Sequence, residues 1–250
     1  MPCRRWILIK NNTNLLGNTL NNIKTVYDAS LQRTEGWYQF RLARLTGSRL
    51  HNIWAKTAYR WPRSKKELIA ELLKEARTGE VTTIPVNEHM ARGTRLEPVA
   101  REMATLCVAR ELPDFTVADV GSCYHIDRPW LAASPDGLTS DNSVFEIKCP
   151  TVKNHMAAFY DGMATKHLAQ IYAEMYTTER DGCYFISYNE EVAEDYRIYI
   201  QYVPRDEVIE KEFLAVADAF ADEFRELLIK ELAEVDETDR VKAVKRTWGI

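Results

Sequence analysis

Ala133-Ser134-Pro135-Asp136-Gly137-Leu138, followed closely by Val144-Phe145-Glu146-Ile147-Lys148-Cys149-Pro150, is the stretch whose reading decides the fold. It sets a carboxylate, a second carboxylate ten positions later, and a lysine two positions beyond that. Residues 144–149 alternate like a strand, where positions i and i+2 share a face, so Glu146 and Lys148 point the same way. Trp130-Leu131-Ala132-Ala133-Ser134 reads as a second strand with Asp136 just past its end, and residues 137–143 are rich in turn formers. The two strands are expected to close as a hairpin that returns Asp136 to the side of Glu146. Neighbouring carboxylates repel unless a cation sits between them, and hard oxygen donors suit Mg²⁺. A lysine beside them can orient or help deprotonate a water, which completes the parts needed for metal-assisted phosphodiester hydrolysis. Charges also alternate on ordinary solvated strands. Here Val144, Phe145, Ile147 and Cys149 flank them, as in a buried strand, where a charge is rare unless paired or metal-bound.

Composition bounds the rest. At 250 residues, without repeats or low-complexity tracts, one α/β core with helical additions is the simplest organisation. No apolar run is long enough for a membrane span, and the apolar stretch after Arg4-Arg5 is too short for a signal peptide. The five cysteines are scattered and lack CxxC spacing, which reads as reduced thiols in a cytoplasmic protein.

The net charge of −4 hides a marked asymmetry. Positions 41–66 hold eight Lys/Arg and no Asp or Glu, with His51, Trp54, Tyr59 and Trp61 interleaved. Positions 205–240 hold thirteen acidic and five basic residues. A basic stretch with aromatics suits phosphate tracking and base stacking, and Arg44, Arg49, Trp54, Arg60 and Trp61 are its DNA-binding candidates. Leu50, Trp54 and residues 59–62 are candidates for a wedge at a duplex end. The plain alternative is a solvated helix face.

Periodicity predicts helices at 35–42, 65–76, 87–110, 166–176 and 206–235, with a further helix start at Thr46–Ser48. Leu96, Val99, Ala100, Met103 and Cys107 form the apolar stripe of the third. Phe213, Val216, Phe220, Phe224 and Leu227 form that of the last. Strands are expected at 116–124, in the two hairpin segments, and at 183–188 and 196–203. Residues 1–33 are expected to be an arm or extension. Residues 34–250 then form a single domain with its core at about 90–203 and a C-terminal helix at about 206–235.

Five segments together carry a family resemblance: Trp37-Tyr38-Gln39-Phe40-Arg41; Leu45-Thr46-Gly47-Ser48; Gly93-Thr94-Arg95-Leu96-Glu97; the Ser134–Pro150 core; and Ala169-Gln170-Ile171-Tyr172-Ala173-Glu174-Met175. With them the chain resembles the lambda-type phage exonucleases, the YqaJ-like viral recombinases, of the restriction-endonuclease-like nuclease superfamily. The resemblance implies a central mixed β-sheet flanked by helices. It implies Asp136, Glu146 and the Ile147 backbone carbonyl as ligands for Mg²⁺ or Mn²⁺, with two ions per site. Lys148 would position the attacking water. Gln170 and Glu97 would sit at the catalytic centre; otherwise Glu97 is a surface partner of Arg101. Asp127 is either a further acidic site residue or a turn residue before Arg128-Pro129, and His167 either a DNA contact or a surface cap.

By the same resemblance Arg41, Ser48 and Ser134 form a pocket for a 5′-terminal phosphate. Guanidinium geometry suits that task. The family's further basic residue is matched only with an offset, by Lys153 or His155. Trp37 and Phe40 are read as core. The implied function is a 5′→3′ exonuclease on double-stranded DNA ends. It would act as a ring-shaped homotrimer beside a single-strand annealing protein, phage- or prophage-encoded and working in the bacterial cytoplasm. The alternatives are an endonuclease of the same superfamily and a non-catalytic DNA-end-binding protein.

Overall fold

The computed structural model describes residues 24–54, 62–82 and 87–250, with backbone alone at 6–7, 62 and 63. In chain order the strands are β1 (Trp6–Ile7), β2 (Thr25–Tyr27), β3 (Leu45–Thr46), β4 (Val117–Ala118), β5 (Cys123–His125), β6 (Leu131–Ala133), β7 (Gly137–Thr139), β8 (Ser143–Lys148), β9 (Gly182–Tyr188) and β10 (Ile198–Pro204). The helices are α1 (Glu35–Arg41), α2 (Pro62–Thr78), α3 (Glu88–Ala109), α4 (Val152–Asp161), α5 (Leu168–Thr178), α6 (Glu207–Glu231) and α7 (Asp239–Trp248). A 3-10 turn covers Gly47–Asn52.

Two mixed sheets share the work. Six strands run β1-β10-β9-β8-β7-β4, and four run β2-β5-β6-β3. The segment expected as a single strand over 116–124 splits between them. The expected hairpin partner of β8 also differs. Leu131–Ala133 pairs with β5 and β3 in the smaller sheet, whereas β8 pairs with Gly137–Thr139. Ser134–Asp136 is thus the crossing from one sheet to the other. Gly137 closes that crossing because a Cβ there would lie 2.4 Å from Val117 Cγ1. Asn142, at φ +64°, supplies the left-handed residue of the β7–β8 turn, a conformation Asn tolerates.

Strand β8 shows why its apolar residues alternate with charges without being solvated. Val144 packs into one core with α2, α5, α6 and α7, while Phe145 and Ile147 pack into a second core with α3. Both faces of the strand are covered, as expected for a strand running parallel to β9. Glu146 and Lys148 therefore share the face of Val144, toward α5. The stripe of α3 is formed by Leu96, Ala100, Ala104, Cys107 and Val108, and Val99 lies 43% exposed. In α6 the inward residue near the end is Leu228, one position from the predicted Leu227.

Helix α6 lies on its own core, and two of its acids pair with α2: Glu223 with Lys65 of the basic segment, and Glu231 with Arg77 beyond it. Part of the charge asymmetry is thereby neutralised within the molecule. Helix α7, absent from the periodicity reading, buries Val241, Val244 and Trp248. Thr25–Tyr27, assigned to the arm, instead pairs with β5. No helix among the described residues is long and apolar enough to cross a membrane. Among the described residues, Cys107, Cys123, Cys149 and Cys183 form no disulfide.

Candidate active site

Asp136 is held against β8 from both ends. Its N–H donates to Phe145 O at 2.9 Å, and its Oδ2 accepts from Ile147 N–H at 2.7 Å. The crossing between sheets therefore achieves what the hairpin reading expected, by a different connection. Glu146 is only 1% exposed and its Oε1 pairs with Lys148 Nζ. Lys148 Nζ also donates to Gln170 Oε1 at 3.3 Å, and Gln170 Nε2 donates to Glu174 Oε1 at 2.9 Å. Gln170 and Glu174 are one turn apart on α5, so both face the same strand.

Electrostatics mark this cluster as under tension. Burial, then the charge of Glu146, pushes the Asp136 carboxyl well above the usual carboxylate range. Glu174, 1% exposed, is raised by burial and then by Glu146. Burial alone would lower the Lys148 ammonium, but Glu146 and Asp136 reverse it, and the net shift is upward. Lys148 is therefore a fixed cation and hydrogen-bond donor at neutral pH.

Asp136, Lys148 and Gln170 open onto a cleft of about 620 Å³, lined also by Ile147, His167 and Glu97 among others, while Glu146 and Glu174 are buried. Glu97 enters from α3, 17% exposed, held by Arg33 at 2.6 Å and more loosely by Arg101 at 3.8 Å. Glu97 thus lines the cleft and also neighbours Arg101. Burial, then the charges of Lys148 and Lys166, presses the His167 imidazole down to about 3. Neutral His167 can exchange hydrogen bonds in the cleft but offers no charge to a phosphate.

Among the described residues, no three His, Cys, Asp or Glu side chains form a ready-made metal site. The donors nonetheless fit a hard cation. Half-buried Asp136 and buried Glu146 repel each other, and Glu146 Oε1 has no hydrogen-bond donor apart from its ion pair with Lys148. Mg²⁺ commonly takes one or two carboxylates and completes its shell with water.

A second cluster lies two residues before Asp136. Ser134 Oγ accepts from Arg41 Nη1 at 2.7 Å and Trp37 Nε1 at 3.1 Å, and lies 2.7 Å from Ser122 Oγ. Arg41 Nη2 reaches Ser48 Oγ at 3.5 Å, and its guanidinium stacks 4.2 Å over the Trp37 ring. No described carboxylate forms an ion pair with Arg41. Burial, then the nearby Arg49, lowers its pKa to about 10, still a cation at neutral pH. The three predicted residues do come together. Trp37 joins them rather than the core, and Ser122 was not anticipated.

Other predicted residues fall elsewhere. Trp54, 6% exposed, packs on Tyr172 and Phe213, and Leu50 is fully buried; neither is available as a wedge or DNA contact. Arg44 lies over Phe40 and Tyr124 and donates to the Pro129 and Phe40 carbonyls, a structural role. Arg49 pairs with buried Glu75 at 2.6 Å. Asp127 is a half-exposed turn residue bound to Lys24, outside the cleft lining. Lys153 is exposed on α4, whereas buried His155 is committed to Ser187 Oγ and Tyr196 O. Arg60 and Trp61 lie outside the described residues. Sequence reasoning missed Glu174 as a site residue, although its i+4 spacing from Gln170 was visible.

Comparison with known proteins matches this chain to nucleases. The model of the YqaJ-like viral recombinase domain matches residues 36–181. The chain is similar to the crystal structure of an alkaline exonuclease, LHK-Exo, from Laribacter hongkongensis. Identity is 31% over 78% of this chain and 94% of that one, with a TM-score of 0.67. LHK-Exo in complex with dAMP matches at 29% identity over 80% and 97% of the two chains, TM-score 0.71. A phage-related exonuclease from Haemophilus somnus 129PT shares the fold at 15% identity over 82% and 93%, TM-score 0.53. No curated protein matches.

Proposed function

This chain belongs to the YqaJ-like viral recombinase domain family, and from that premise we propose that it is a divalent-metal-dependent exonuclease. It degrades one strand of linear double-stranded DNA from a 5′-phosphorylated end to mononucleotides, leaving 3′ tails for recombination by strand annealing. The observation that carries this reading is the juxtaposition of two clusters. The Asp136–Glu146–Lys148–Gln170 set is joined to the second cluster through Ser134, two residues before Asp136, whose hydroxyl accepts from a cationic Arg41 that forms no ion pair among the described residues. Similarity to an exonuclease that binds dAMP, a 5′-mononucleotide, supports a mononucleotide product here.

Asp136, Glu146 and the Ile147 carbonyl are the groups to hold Mg²⁺, or Mn²⁺, with up to two ions per site. The cation supplies positive charge against the charge that accumulates on the scissile phosphate. Lys148 adds a fixed ammonium on the same side and donates to the attacking water or a phosphate oxygen. Glu146 keeps it protonated, and Gln170 fixes where its donors point. Arg41, with Ser48 and Ser134, holds the terminal 5′ phosphate by charge-assisted hydrogen bonds and so sets which bond lies over the carboxylates. Working as a ring-shaped trimer around the duplex would let a chain of net charge −4 remain on its substrate, since only the channel need be basic.

Arg41→Ala tests the pocket. The ratio of kcat/KM on 5′-phosphorylated to 5′-hydroxyl ends is expected to fall by about 10–100-fold, the scale of one or two charge-assisted contacts. Equal loss on both ends would remove Arg41 from end recognition. A closed circular duplex tests the exonuclease reading against an internally cutting nuclease: the circle should remain intact while linear DNA is consumed.

A further inference from the structure

We infer that Glu75 is a positioning residue for the Arg41 pocket, holding the turn that carries Arg41 and engaging Arg49 so that Arg41 stays open to an incoming anion. This rests on the reading of Arg41, Ser48 and Ser134 as a phosphate site. Glu75 is completely buried near the end of α2, yet every donor it needs is present. Its Oε2 accepts from Ala43 N–H at 2.9 Å and Arg49 Nη1 at 3.3 Å. Its Oε1 accepts from Arg49 Nη2 at 2.6 Å and Thr82 N–H at 3.0 Å. Packing alone would be served as well by an apolar side chain, because burying a charge is costly even when it is compensated.

The location explains what that cost secures. Ala43 stands two residues after Arg41 at φ +52°, a left-handed conformation that residues with a Cβ seldom adopt. Its N–H is gripped by Glu75, and its carbonyl accepts from Trp248 Nε1 at 2.8 Å. A strained residue persists when its surroundings over-determine it. Here buried side chains from α2 and α7 hold its two polar groups.

Arg49 also lies in the same 3-10 turn as Ser48. By occupying Glu75 bidentately, Arg49 denies this buried carboxylate to Arg41. Arg41 is left with only hydroxyl and ring partners among the described residues. One carboxylate thus fixes the turn, the neighbouring serine segment and the unpaired state of the guanidinium.

Glu75→Gln should lower kcat/KM on 5′-phosphorylated duplex ends about tenfold, the scale of one charge-assisted hydrogen bond, and leave 5′-hydroxyl ends nearly unchanged. In an Arg41→Ala background the same change should not lower the end preference further, because Glu75 acts through Arg41. Loss on both ends alike, or an intact preference in Glu75→Gln while Arg41→Ala abolishes it, would overturn the inference and leave the pocket standing. No preference in the wild-type protein would instead remove the pocket, and this inference with it. Should Glu75→Gln fail to fold, Trp248→Phe keeps a ring and removes the other grip on Ala43. It should show the same selective loss, and an unaltered preference there would overturn the inference.

Discussion

Lys148→Ala is expected to reduce turnover of linear duplex DNA by about 10³-fold or more while DNA-end binding persists. The effect is large because Nζ is shared between Glu146 and Gln170 at the mouth of the cleft, so its removal takes away both a charge and the reference point of the network. It also leaves Glu146, 1% exposed, facing Asp136 without its cation. Lys148→Arg should recover little, since a planar guanidinium cannot occupy the same point between the carboxylate and the amide. Single-turnover kinetics with end binding measured in EDTA separates the two terms. Turnover retained within a few-fold would remove Lys148 from the mechanism.

Asp136→Asn is expected to abolish metal-supported turnover and to remove the stabilisation that divalent cation gives the folded protein. The Asp136 carboxyl is raised by burial, then by Glu146. The folded state thus binds its proton more tightly than the unfolded chain does. That contribution to stability is present at low pH and is lost as pH rises through the folded-state value. A cation bound between the carboxylates displaces the proton and restores what is lost. The thermal midpoint gained on adding Mg²⁺ should therefore grow over a range of rising pH.

At a hundred times the dissociation constant the gain is about 2.7 kcal/mol, or roughly 5–10 °C for a chain of this size. Asp136→Asn removes the titrating group and should show a small gain that does not vary with pH. Thermal melting with and without Mg²⁺ across this range checks the prediction. An undiminished, pH-dependent gain in the variant would place the cation elsewhere.

Much of this site was legible along the chain because strand geometry is local. The two-residue period of β8 places Glu146 and Lys148 on one face whatever the rest of the fold does. Gln170, Arg41, Ser48 and Ser134 were marked by the resemblance, and the fold brings each to one of the two clusters. The connection of Asp136 was misread because Leu131–Ala133 is short and uniformly apolar. Such a segment can join either sheet, and only the pairing of Leu131–Ala133 with β5 and β3, and of β7 with β8, shows that the chain changes sheets there.

Trp54 looked like a stacking residue because its neighbours in sequence are basic. Its burial against Tyr172 and Phe213 depends on α5 and α6, far along the chain. Glu75 gave no local signal at all, because a glutamate in an amphipathic helix looks like a solvated one. Its donors come from the Ala43 turn, Arg49 and Thr82, and the first two lie about thirty residues away.

The measurement that tests the central claim most directly is end-resolved digestion of linear duplex DNA, labelled separately at its 5′ and 3′ termini, with Mg²⁺ and with EDTA. The account predicts early release of the 5′ label as mononucleotide, persistence of the 3′ label on lengthening single-stranded tails, and no reaction in EDTA. Release of the 3′ label first, or equal loss of both, would contradict it.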